Sequence, residues 1–195
     1  MEADWEIEVG GDAPVIDADW AGMLDLRRSA EKARLLPEVD QLSGLAAALM
    51  QLNAKSSPVW TSKCDVWINQ EPFDADELDA PEGCAHAMAC YIDLLRGGDL
   101  RWGEAAHAGE WCESVCRELR RLTQRSCRVD LVVRSAMLSE NDAEPGARDY
   151  GVTAYIAAAG RDEAAARKML SAAVAVFADS VAPAEAPANA APKLQ

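Results

Sequence analysis

Residues 128–137 read RVDLVVRSAM, and residues 150–159 read YGVTAYIAAA. In the first stretch Val129, Leu131 and Val133 alternate with Arg128, Asp130, Val132 and Arg134. In the second, Val152, Ala154 and Ile156 take the apolar phase and Tyr155 falls opposite them. A period of two with one apolar side is the pattern of a strand that buries one face. SENDAEPGARD, residues 139–149, is rich in turn formers and reads as the hairpin connection between the two strands. Gly160 ends the second strand. Asp162 then suits the N-cap of a helix running to about Asp179, with Ala166, Leu170, Ala173 and Phe177 on one stripe. Two strands followed by one helix is therefore the unit of the fold.

The same unit precedes it. Residues 59–68, VWTSKCDVWI, read as a strand with Trp60, Cys64, Val66 and Ile68 on one side. A long acidic loop follows, EPFDADELDAPEG, at residues 71–83. The next strand runs from about Met88 to Leu95, placing Met88, Cys90, Ile92 and Leu94 together. Gly97, Gly98 and Asp99 make a turn. A helix over about 104–122 then carries Ala105, Ala108, Cys112, Val115, Leu119 and Leu122, and Glu113 stands four residues before Arg117 in the favourable order for a helical ion pair.

Nearer the N-terminus, Trp5, Ile7 and Val9 alternate with Asp4, Glu6 and Glu8, and Gly10, Gly11, Asp12 and Pro14 break the run. A second strand is expected over Gly22–Arg27, with Leu24 and Leu26 on one side and Met23, Asp25 and Arg27 on the other. Pro37 suits the first turn of a helix whose stripe is Val39, Leu42, Leu45, Leu49 and Leu52, with Gly44 tolerated inside it. Asn53 and the run Lys55-Ser56-Ser57-Pro58 stop it.

The whole reads as an α+β fold: a mainly antiparallel sheet of about six strands, three helices on one face, and three strand–strand–helix units of about 60 residues each. Residues 1–180 form one expected domain. Residues 181–195, VAPAEAPANAAPKLQ, hold too few bulky side chains to order themselves and read as a disordered tail.

Charge narrows the partners. The chain has 33 Asp and Glu against 19 Lys and Arg, a net charge of −14, which repels phosphate backbones and anionic membranes. No run of about 18 apolar residues spans a bilayer. The opening MEADWEIEVG lacks the basic and apolar regions of a secretory signal, so a cytoplasmic location and free thiols are expected. No nucleic acid and no membrane is expected as partner.

No catalytic motif is present: there is no P-loop, Gly-x-Ser-x-Gly or His-Glu-x-x-His, and neither Asp17-x-Asp19 nor Asp74-x-Asp76 continues as a calcium loop. The cysteines (64, 84, 90, 112, 116 and 127) and the two histidines, His86 and His107, lack the tight pairs of a structural zinc site. Cys64, Cys90, Cys112 and Cys127 share the phase of apolar neighbours, so they read as small buried hydrophobes. No cofactor is expected.

The outer phase of the strands is the informative one. It places a carboxylate near the middle of five strands: Glu6 or Glu8, Asp25, Asp65, Asp93 and Asp130. Lys63, Arg128 and Arg134 share it, with Trp67, Tyr91, Leu95, Val132 and Tyr155. Mixed charge with aromatic rings suits a protein-binding patch. The expected function is a non-enzymatic binding module, an inhibitor, immunity-type or adaptor protein, that meets another, basic protein through Asp25, Asp65, Trp67, Tyr91, Asp93, Asp130 and Tyr155. The alternative from the same residues is a hydrolase that gathers these carboxylates around a divalent metal.

Overall fold

The computed structural model describes residues 1–18, 20, 22–69, 73–98, 101–138 and 148–183. In chain order the strands are β1 (Glu2–Ile7), β2 (Ile16–Asp17), β3 (Val59–Ile68), β4 (His86–Arg96), β5 (Cys127–Met137) and β6 (Arg148–Gly160). The α-helices are α1 (Glu38–Gln41), α2 (Leu45–Leu52), α3 (Ala105–Arg120) and α4 (Glu163–Val181), and a 3-10 helix spans Ala30–Leu35. The fold is α+β, with one mixed sheet of six strands, mostly antiparallel, and three longer helices packed on it.

The sheet order is β1-β5-β6-β4-β3, and β2 pairs with the far end of β5. The β3–β4 and β5–β6 pairs are antiparallel, and β6 also pairs antiparallel with β4. The first unit differs from the other two. Its strands β1 and β2 do not pair with each other; both run parallel to β5. Ile16–Asp17 is the second strand, in place of the expected Gly22–Arg27, where Asp25 lies in a turn. The connection expected over 139–149 falls outside the described residues as far as residue 147, and so do residues 184–195 of the tail.

One face of the sheet is dry. Val129, Leu131 and Val133 of β5, Val152, Ala154 and Ile156 of β6, and Cys90, Ile92 and Leu94 of β4 are all fully buried under the helices. From above, α4 lays down Ala166, Leu170, Ala173 and Phe177, each 0% exposed. Its N-cap is Asp162, whose side chain accepts from Ala165 N at 2.8 Å. Buried Val181 and Ala182 extend the packed chain past residue 180: Ala182 O accepts from Gln51 at 2.7 Å.

Helix α3 lies over β1, and Gly109 sets how closely. A Cβ there would stand 2.8 Å from the Trp5 ring, so any larger residue would displace the ring or the helix. The β1 alternation holds with a two-residue offset: Ala3 is buried, Trp5 half-buried, and Ile7 and Val9 are left exposed.

The stripe Leu42, Leu45, Leu49 and Leu52 is buried as the spacing predicts, yet the helix is not continuous. Leu42 is extended (φ −138°, ψ 96°), separating α1 from α2. Gly44 sits close to α4 at this break: a Cβ there would meet the Ser171 backbone oxygen at 3.0 Å, so a larger residue would press α2 and α4 slightly apart. At the other end Asn53 is buried and donates to Leu49 O (2.8 Å) and to Thr61 Oγ1 (2.7 Å), tying α2 to β3.

Strand β3 carries an irregularity between Thr61 and Cys64. Thr61 pairs with Leu94 and Cys64 with Ile92, both inward residues, so Ser62 and Lys63 together face Asp93 and β3 carries one extra residue. Trp60 is thereby turned to the outer side, opposite Leu95, rather than joining Cys64, Val66 and Ile68 as simple alternation predicts.

Candidate outer-face binding site

Among the described residues no helix lies on the outer side of the sheet, but its two ends are capped. At one end Ile16, Ala18, Trp60, Leu95 and Ala136 form a small apolar cluster, with the Arg27 guanidinium stacked 4.0 Å from the Trp60 ring. At the other, the 73–84 segment folds back so that Leu78 packs on Ala87 and Ala159, with Phe73 and Cys84 beside it. Leu78 and Phe73 are the apolar residues inside an acidic loop. Their presence there is the sequence signal that this loop lies on the sheet rather than in solvent.

Between the caps the register lines up one row across five strands: Asp65 on β3, Tyr91 on β4, Tyr155 on β6, Asp130 on β5 and Asp4 on β1. Trp67 extends the aromatic part. Its ring centroid is 6.4 Å from Tyr91, which is 6.2 Å from Tyr155, both pairs tilted. The next row is Asp93, Thr153, Val132 and Glu6. Six of the seven residues read from the sequence as partner-binding thus share one face: Asp65, Trp67, Tyr91, Asp93, Asp130 and Tyr155.

Asp25 does not join them. It accepts from Arg27 Nε at 3.0 Å and stands 3.2 Å from Arg28 Nε. Burial works against its charged form, but the Arg27 hydrogen bonds and the two guanidinium charges outweigh it and hold the carboxyl below its ordinary value. Its role is local: it fixes the turn that carries Arg27 over Trp60.

The six are not equivalent. Asp65 is exposed, and its carboxylate accepts from Val66 N at 2.7 Å. Asp130 is bridged by Arg128 at 2.8 Å. Asp93 is only 7% exposed and accepts a 2.6 Å hydrogen bond from Thr153 Oγ1. Burial raises its carboxyl above the ordinary 3.8, more than the hydrogen bond and the charges of Arg134 and Lys63 lower it. Charge reversal at Asp93 is therefore a test of folding, not of an open surface. Burial, and then the nearby carboxylates of Asp93 and Asp65, push the Tyr91 hydroxyl up to about 12, so it stays a neutral donor.

Arg134 organises the centre of the face. It binds Glu8 at 2.7 Å, donates to the Tyr155 hydroxyl at 3.0 Å, and stands 5.5 Å from the Tyr155 ring centroid. Glu8, Arg134, Tyr155, Thr153 and Asp93 thus form one connected polar network, which pins the rings and charges in place.

Beside this network lies a trough of about 710 Å³, bounded by β1 on one side and residues 73–78 on the other, with Val132, Tyr155 and Ala157 on its floor. Alternation placed Asp4 in the outer phase of β1 without marking it as a binding residue; Glu77 and the 73–78 wall are the parts of the site that strand alternation did not reveal.

The thiols lie elsewhere. Cys90, Cys112, Cys116 and Cys127 are buried and Cys64 is half-buried, all unpaired. Burial pushes Cys64 up to about 12 and Cys116 and Cys127 to about 11, and it raises Cys90 and Cys112 strongly. Such thiols are poor nucleophiles and poor metal ligands at neutral pH. Among the described residues no three His, Cys, Asp or Glu side chains are grouped so as to hold a metal ion, and no helix is long and apolar enough to cross a membrane.

No family model, curated protein or solved structure matches the chain.

Proposed function

We propose that the chain is a protein-binding module that meets a basic partner through the outer sheet face, in the manner of an inhibitor, an immunity-type protein or an adaptor. The observation that carries this reading is the five-strand row Asp65, Tyr91, Tyr155, Asp130 and Asp4, which no helix among the described residues covers. Rings held in a fixed ladder give a partner large contact area at little entropic cost, and the flanking carboxylates select its charge. A net charge of −14 adds long-range attraction for a basic surface and speeds encounter. The hydrolase alternative needs two or three carboxylate oxygens converging on one point, and no grouped ligand set among the described residues favours it.

The test is a comparison of the parent chain with a variant carrying Asp65→Lys and Asp130→Lys, both used as bait in lysate of the native cell. The reading expects partners held by the parent to fall at least tenfold with the variant at low salt, while the two proteins melt within a few degrees of each other. Equal recovery by both baits contradicts it.

A further inference from the structure

We propose that the trough between β1 and residues 73–78 takes an extended basic segment of the partner, with two arginine or lysine side chains spaced two residues apart. This rests on the binding role argued above and names what the site would hold.

The charge of the trough is the first ground. Five carboxylates line it, from Asp4, Glu6, Asp74, Glu77 and Asp130, against two guanidiniums. Both guanidiniums are already neutralised within the chain: Arg128 by Asp130 at 2.8 Å, and Arg134 by Glu8 at 2.7 Å. Asp4 is partly satisfied by Arg120 at 3.3 Å. Glu6 and Glu77 are exposed and form no ion pair among the described residues, one reaching in from β1 and the other from the opposing wall. Asp74, exposed on the same wall as Glu77, forms no ion pair either among the described residues, so the surplus is three carboxylates on two sides of one groove, one from β1 and two from the wall, which two cations of one segment can meet at once.

The floor is the second ground. Val132, Ala157 and the Tyr155 ring, with Phe73 and Leu78 of the wall, give the groove an apolar and aromatic surface among its charges. Lysine and arginine bury their stems on such a surface while their charged heads reach the rim, and a guanidinium also stacks on an aromatic face. Span is the third. Crossing from β6 over β5 to β1 covers two inter-strand spacings, roughly 10 Å, which is the length of about three extended residues. In an extended segment, residues two apart point the same way.

The probe is the peptide acetyl-Gly-Arg-Ala-Arg-Ala-Gly-amide, titrated into the isotope-labelled full chain. Controls are the same peptide with citrulline for arginine, which keeps shape and removes charge, and acetyl-Gly-Arg-Ala-Ala-Arg-Gly-amide. Expected are amide shifts confined to residues 4–8, 73–78, 128–134 and 155–157. Affinity should be at least tenfold weaker for the citrulline peptide and several-fold weaker for the respaced one, and a chain carrying Glu6→Gln and Glu77→Gln should lose about tenfold with its own spectrum otherwise unchanged. Shifts spread over the whole acidic surface, equal binding of the citrulline or respaced peptide, or an unaffected double variant would overturn the inference. If no peptide binds, yet a partner is lost on Asp65→Lys and Asp130→Lys substitution, the extended-segment inference fails while the broader binding role stands.

Discussion

The two faces of the sheet are built from alternate residues of the same strands, and they obey different rules. Under the helices, Leu131, Ala154 and Ile92 are sealed from water within the main apolar cluster. One residue along each strand, Asp130, Tyr155 and Tyr91 stand partly in solvent and are held by hydrogen bonds, ion pairs and tilted ring contacts. The inner face is specified by volume and dryness. The outer face is specified by a polar network whose members need one another but do not need to be dry. Stability should therefore reside on one side and recognition on the other, and Asp93 is the point where the two meet.

That division can be broken most forcefully from inside. Phe177→Ala empties the largest side chain α4 contributes to the core and should cost about 3–5 kcal/mol in urea unfolding. A loss below about 1 kcal/mol would mean that the helices do not clamp the sheet as described. On the outer face, Asp93→Lys should cost roughly 3 kcal/mol, because it replaces an enclosed, hydrogen-bonded carboxylate with a cation beside Arg134. Asp65→Lys, in the neighbouring row, should change stability by no more than about 0.5 kcal/mol, since its carboxylate is exposed. Equal costs at the two positions would erase the distinction between network and rim.

Acid sharpens the same contrast. The Asp93 carboxyl is raised above 3.8 in the folded chain, so the folded state keeps a proton that the unfolded chain releases first. Its contribution consequently falls as pH rises from about 3.8 through the raised folded value. Measured as urea stability from pH 3 to 7, the parent should lose ground steadily to Asp93→Asn over that window. A difference that is flat with pH, or that moves the other way, contradicts the burial of Asp93. The smallest effect is chemical: iodoacetamide at pH 8 should leave Cys90 and Cys112 unmodified in the folded chain and should reach Cys84 before Cys64, whose thiol burial holds near 12.

The last two-thirds of the fold could be read from alternation because β3 to β6 each keep one apolar phase against a continuous helix layer. The limits of β3 coincide with the reading, and those of β4, β5, β6, α3 and α4 lie within about two residues of it. The first third could be read only in part: β1 and the stripe Leu42, Leu45, Leu49 and Leu52 follow the pattern, while the second strand answers to a distant neighbour. Ile16–Asp17 is a strand only because the end of β5 offers it a partner, and Leu24 and Leu26 alternate in a segment that never joins the sheet. Trp60 departs from simple alternation because β3 carries one extra residue between Thr61 and Cys64, which reverses the phase and which no period-two pattern records. In the site, alternation found the rings and the carboxylates of β3 to β5. It could not find the 73–78 wall, which depends on Leu78 docking onto Ala87 and Ala159, nor distinguish buried Asp93 from exposed Asp65, since both occupy the same phase.

The claim that the outer face recognises and the inner face holds is tested most directly by hydroxyl-radical footprinting of the full chain, free and with a partner recovered from the native cell. The free chain should be oxidised at Trp67, Tyr91 and Tyr155 and spared at Phe177. Binding should protect the three rings at least several-fold while leaving half-buried Trp111 of α3 unchanged. Protection of Trp111 with undiminished oxidation of Trp67, Tyr91 and Tyr155 would place recognition on the helical side and contradict the account.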